Sequence, residues 1–125
     1  MGKERLYEAF GELLYALMKT GEMLQPEGLE TIRSTLGLYT WGDQTLWSFF
    51  YEFKRATSPE MLYVKALTTC QDFGQAEEYK SFFETAEKLI ATQIPNSLPA
   101  QRMLSSFQRK ILQNLKDSWG MQTPA

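Results

Sequence analysis

The chain contains no histidine, a single cysteine, and no uninterrupted apolar stretch of membrane-spanning length. Without histidine it lacks the usual general base near neutral pH, the commonest zinc ligand and the usual pH switch. Any chemistry would fall to carboxylates, lysine, tyrosine or Cys70. A lone Cys70 closes no internal disulfide, so the fold does not depend on an oxidising compartment. The missing apolar stretch argues against a transmembrane helix. Met1-Gly2-Lys3-Glu4-Arg5 leads into an amphipathic pattern and not into a signal-peptide apolar segment, so the cytoplasm is the expected location.

Charge of one sign is also scarce. The net charge is −2, too small to steer the chain strongly towards polyanions or polycations. It is unevenly spread, with +3 from Leu98 onward and −5 before it. A basic last helix on an acidic body is expected to seal that helix onto the domain. Phe107 and Trp119 interleave with its basic residues, but no dense Lys/Arg cluster accompanies them, so nucleic acid is not an expected partner.

What is present is apolar and aromatic. Of 125 residues, 43% are hydrophobic and 14% aromatic, enough for one globular domain, residues 1–125, with its own core. The apolar spacing is helical throughout. Leu6, Phe10, Leu13, Leu14 and Leu17 line one face of a helix from about Lys3 to Thr20, with Glu4, Glu8 and Glu12 on a face expected to be solvated. Pro26 and Glu27 open a second helix that Gly37 ends. Asp43 suits the N-cap of a third, whose Leu46, Phe49, Phe50 and Phe53, flanked by Trp47 and Tyr51, give an apolar surface wider than one stripe. That breadth predicts the central helix. Ser58-Pro59-Glu60 starts a fourth helix running to about Thr69. Tyr79, Phe82, Phe83, Ala86, Leu89 and Ile90 mark a fifth, and Met103, Leu104, Phe107, Ile111 and Leu115 a sixth that ends near Trp119. Met121 to Ala125 are expected to fray. No segment alternates with period two. The fold class is all-α, a compact bundle of six or seven helices.

Sliding the chain on itself by 72 residues lays Tyr7-x-x-Phe10-x-Glu12 over Tyr79-x-x-Phe82-x-Glu84, and Leu17-Met18-x-Thr20 over Leu89-Ile90-x-Thr92. A proline-containing loop and a second amphipathic helix follow in each copy. The reading is a duplicated helical hairpin, with halves of about 3–38 and 75–117, packed about a pseudo-twofold axis.

The first copy, Tyr7-Glu8-Ala9-Phe10-Gly11-Glu12-Leu13-Leu14-Tyr15-Ala16-Leu17-Met18-Lys19-Thr20-Gly21-Glu22-Met23 with Gln25-Pro26-Glu27 opening the next helix, resembles the tellurite-resistance TerB-like proteins. The likeness covers roughly the first third of the chain and, in pattern, the second copy. It implies an all-helical fold with internal pseudo-symmetry, and a role in a stress-response or membrane-associated complex. It also implies metal ions held by acidic residues near the turns. Here Thr20 stands in the place of the turn aspartate, Thr92 does so in the second copy, and residues 93–100 contain no acid. The resemblance therefore bears on the fold more than on metal binding.

Two sets of residues are candidates for function. Trp41, in a loop, and Trp47, off the main apolar stripe, are expected at the surface, and Tyr15, Trp47 and Tyr51 are expected to line a groove for a protein partner. Core packing is the competing reading for each of these rings. The second set is Glu22, Glu27 and Glu30, with the repeat-related Glu12 and Glu84, as oxygen donors for a divalent cation. Against it, glutamates near a helix N-terminus already have a dipole explanation, and exposed charges usually do nothing specific. Cys70 reads as a structural thiol with no histidine to activate it, and Lys65 as an imine-forming lysine only if buried. The expected function is a non-enzymatic binding or adaptor module with no cofactor, acting on a protein partner. The alternative is a divalent-metal domain, and a homodimer is left open.

Overall fold

The computed structural model describes residues 2–22 and 25–119, with side chains as far as Asn114. Met23, the side chains of Leu115, Lys116 and Trp119, and Met121 to Ala125 lie outside those residues. Six helices follow one another: α1 (Glu4–Thr20), α2 (Pro26–Leu36), α3 (Gly42–Arg55), α4 (Pro59–Phe73), α5 (Glu78–Gln93) and α6 (Leu98–Trp119). No strand occurs among the described residues. Nor is any of their helices long and apolar enough to cross a membrane.

The central helix is α1, not α3 as its wide aromatic surface suggested. Every residue from Ala9 to Met18 is buried. That run holds one charge, Glu12, among small and apolar residues, and a helix that is apolar all round belongs in an interior. Helices α3, α4, α5 and α6 all pack on it, while α2 packs on α3 and α5. Among the described residues α3 and α4 reach α1 but not each other.

Small side chains set how closely α1 and α3 approach. A Cβ on Gly11 would strike the carbonyl oxygen of Thr45 and lie 2.7 Å from the Ser48 Cβ. The Thr45 hydroxyl donates to the Tyr7 carbonyl at 3.0 Å, and the Ser48 hydroxyl to the Glu8 carbonyl at 2.7 Å. Thr45, Ser48, Phe49 and Glu52 thus form the buried face of α3. Its larger rings, Trp47, Tyr51 and Phe53, are left outside. The amphipathicity of α3 is thus largely inverted: beside Phe49, the contact is made by polar side chains, two of which bond to the backbone of α1.

The aromatic centre joins α1 to α5. Phe10 and Phe82 stack face to face with centroids 4.2 Å apart. Trp41 meets both edge-on at 5.7 Å, and Tyr39 stacks on its other side at 4.6 Å. Such pairs contribute about 0.5–1.5 kcal/mol each beyond their area burial. Trp41 occupies the N-cap position of α3, which begins one residue before Asp43. A Cβ on Gly42 would collide with the Leu36 carbonyl, so this turn admits only glycine. Ser58 caps α4 as its sequence suggests, its hydroxyl accepting from the Met61 N–H at 3.3 Å. That helix runs on to Phe73, past the expected end.

Candidate functional site

Trp47 and Tyr51 sit one turn apart on the outer face of α3, stacked at 5.4 Å with their planes 10° apart. They are 58% and 45% exposed. One turn further on, the Arg55 guanidinium lies over the Tyr51 ring at 5.4 Å and donates to its hydroxyl at 3.1 Å. The i, i+4, i+8 spacing makes a three-rung ladder of Trp, Tyr and Arg along one helix. The three side chains touch one another while remaining exposed.

The other two expected partner-binding residues lie elsewhere. Trp41 is 2% exposed. Its indole N–H donates to the Ser81 hydroxyl at 3.0 Å, so the ring enters the core without leaving a donor unpaired. Tyr15 is 1% exposed, edge-on to Phe49 at 5.9 Å inside the α1–α3 interface. Burial, then the charge of Glu52, pushes its hydroxyl pKa up. The groove expected between Tyr15, Trp47 and Tyr51 does not form, because α3 turns its polar side to α1 and carries the last two rings outward. Trp41 and Tyr15 are core residues.

The five glutamates are dispersed. Glu22, at φ 58°, Glu27 and Glu30 are exposed, and the carboxylate of Glu30 is 3.9 Å from the Arg33 guanidinium. Glu84 is exposed and paired with Lys80 at 3.0 Å. Glu12 is instead buried, against the solvated face expected for it, and its carboxylate is met by Lys65 at 3.0 Å. Lys65 itself is mostly exposed, so it is a surface lysine reaching inward and not an imine-forming one. Burial pushes the Glu12 carboxyl up, Lys65 opposes this, and Glu52 and Glu8 add to it. Glu12 and Glu84 each have a lysine of their own and make no shared site. Among the described residues, no three acidic or sulfur side chains are grouped so as to hold a metal ion.

Glu52 was not singled out from the sequence, yet it is 2% exposed and accepts from the Thr57 hydroxyl at 2.8 Å. The signal for it was present. Thr45, Ser48 and Glu52 recur at i, i+3, i+7, a polar stripe that becomes an inner face once Gly11 lets α3 close on α1. Cys70 is buried, and burial pushes its thiol up to about 12. Beside it the buried Tyr79 hydroxyl donates to the Cys70 and Gly74 carbonyls at 3.0 and 2.9 Å. Such a thiol is held in its unreactive form.

Compared with family models, curated proteins and solved structures, the chain matches none of them.

Proposed function

We propose that the protein is a non-enzymatic helical module of TerB-like type that captures a protein partner on the outer face of α3, in a stress-response setting. The observation that carries this reading is the Trp47–Tyr51–Arg55 ladder. Trp, Tyr and Arg are the residue types over-represented among interface hot spots. Here they are solvent-exposed and in mutual contact, an arrangement that lowers the side-chain entropy lost when a partner covers them. Lys54 and Arg55 at the end of the helix favour a partner with an acidic border. The burial of Cys70 and the pairing of Glu12 with Lys65 are in keeping with a binding role.

The test is a pull-down from native extract with the tagged chain, its Trp47→Ala and Tyr51→Ala variants, and added chelator in parallel. The expected result is a specific partner held by the parent chain and lost from both variants, whose thermal melts stay within about 0.5 kcal/mol of the parent. Full retention by both variants would overturn the ladder as the site. A partner lost with chelator alone would turn the reading to the divalent-metal alternative. The exposed and scattered Glu22, Glu27 and Glu30 give that alternative no geometric support.

A further inference from the structure

A second surface, remote from the α3 ladder and independent of it, lies along the seam between α5 and α6. Its wider end is a groove of about 950 Å³ with an apolar lining, bordered by the buried Tyr79 and Ile111 and by Phe83 and the exposed Leu112. A smaller cavity of about 230 Å³ continues it, flanked by Ile90 and Leu104, and the two share Ser105 and Gln108. At their junction Gln108 donates to Glu87 across the seam at 2.9 Å. The wider end is lined by Tyr79, Lys80 and Phe83 of α5, by residues 75–77 of the loop that leads into it, and on α6 at positions 105, 108, 109 and 112. The α6 set follows the i, i+3, i+4, i+7 rule and makes a helical ridge about two turns long, faced by about one turn of α5 and the loop before it.

Two packed helices with an unfilled apolar furrow present the surface into which a third helix fits ridge-into-groove. The charges along the seam specify its flank. On the α5 side Lys80 is paired with Glu84, while Glu77 lines the groove and Glu87 accepts from the uncharged Gln108, so that wall is acidic. On the α6 side Arg102 and Arg109, two turns apart and exposed, enter none of the ion pairs among the described residues. We infer that this seam is a docking site for an amphipathic helix from a partner protein, with its apolar face on Phe83 and Leu112 and an acidic flank beside Arg102 and Arg109.

The test is an NMR titration of the ¹⁵N-labelled full chain with a 15-residue helical peptide. The peptide carries Leu at i, i+3, i+4 and i+7 and Glu along one flank, and an isomer has Lys replacing each Glu. The expected result is saturable movement of the Phe83, Gln108 and Leu112 amides with the acidic peptide only. Leu112→Glu should weaken binding by about tenfold or more, since it sets a carboxylate against the apolar face. Arg109→Glu should weaken it several-fold and shift the preference towards the Lys isomer. Both residues are exposed, so the variants should fold, and an unchanged thermal melt verifies this. No movement at millimolar peptide, or equal movement with both isomers, would overturn the inference. Movement confined to Trp47 and Tyr51 would overturn it while supporting the α3 reading. Groove amides that shift with protein concentration alone would assign the seam to a second copy. Displacement of the peptide by decanoate at lower concentration would assign it to an acyl chain, and either result overturns the helix.

Discussion

Helices α1 and α5 carry the same pattern, Tyr-x-x-Phe-x-Glu, at Tyr7 to Glu12 and at Tyr79 to Glu84, and the molecule uses the two copies in opposite ways. Only the phenylalanines are treated alike, because Phe10 and Phe82 stack on each other. Tyr7 is partly exposed and donates to Glu78 at 2.8 Å, whereas Tyr79 is buried and donates to two backbone carbonyls. Glu12 is buried with Lys65, and Glu84 lies in solvent with Lys80. Gly11 in the first copy is where α3 closes onto α1. Its counterpart Phe83 lines the open seam beside α6. Residue type is shared and surroundings are not. Which elements pack against each position, and not their number, decides what its tyrosine and glutamate become.

The largest effects test the one point of likeness. Phe10→Ala and Phe82→Ala should each destabilise the fold by about 3–5 kcal/mol, as truncation of a fully buried ring does. In chemical denaturation the double variant should cost less than the sum of the two, with a coupling of about 0.5–1.5 kcal/mol from the lost stack. Strict additivity would mean that the two rings are neighbours without being partners.

The next effect separates the copies. Gly11→Ala should cost about 1–3 kcal/mol by overpacking, because the obstruction is the Thr45 backbone and not a side chain that can swing away. A helix propensity argument predicts the reverse sign, since alanine is the better helix former by about 1 kcal/mol. A stabilised Gly11→Ala variant would show that α3 can retreat from α1, and that the inverted amphipathicity of α3 is not enforced by contact.

That inversion marks where the sequence stops being readable. Six helices, their all-α class, the Ser58 cap and the Pro26 and Pro59 starts follow from spacing and capping chemistry, which are local. The central helix did not follow. Trp47, Phe49, Phe50, Tyr51 and Phe53 dominate any apolar count of α3, yet of these only Phe49 is fully buried, beside Thr45 and Ser48, which bond to α1, and Glu52. A count of apolar residues cannot register a hydroxyl that finds a carbonyl on another helix. Trp41 misled for a similar reason, since its loop position hid the stacking on Tyr39 and the bond to Ser81. Trp47 and Tyr51 are surface residues as expected, but the Arg55 rung beside them depends on a rotamer and not on composition.

The smallest effects concern the two glutamates, and here pH distinguishes them. Burial holds the Glu12 carboxyl above its ordinary value in the folded chain, even with Lys65 beside it. The folded state therefore keeps a proton that the unfolded chain releases, and stability falls as pH rises from the unfolded value through the folded one. Below that window both states are protonated and no penalty exists; above it the penalty is complete. Glu12→Gln cannot ionise, so its melting temperature should gain on the parent chain as pH rises from acid to neutral. The lost ion pair does little to offset this, because Lys65 is 60% exposed. Glu84→Gln, exposed and paired only with an exposed lysine, should change stability at neutral pH by less than about 0.5 kcal/mol. Thermal melts of both variants across that range make the comparison. If Glu12→Gln instead lost ground as pH rose, the Lys65 pair would outweigh burial, and Glu12 would be a clasp between α1 and α4 whose strength lies in its charge.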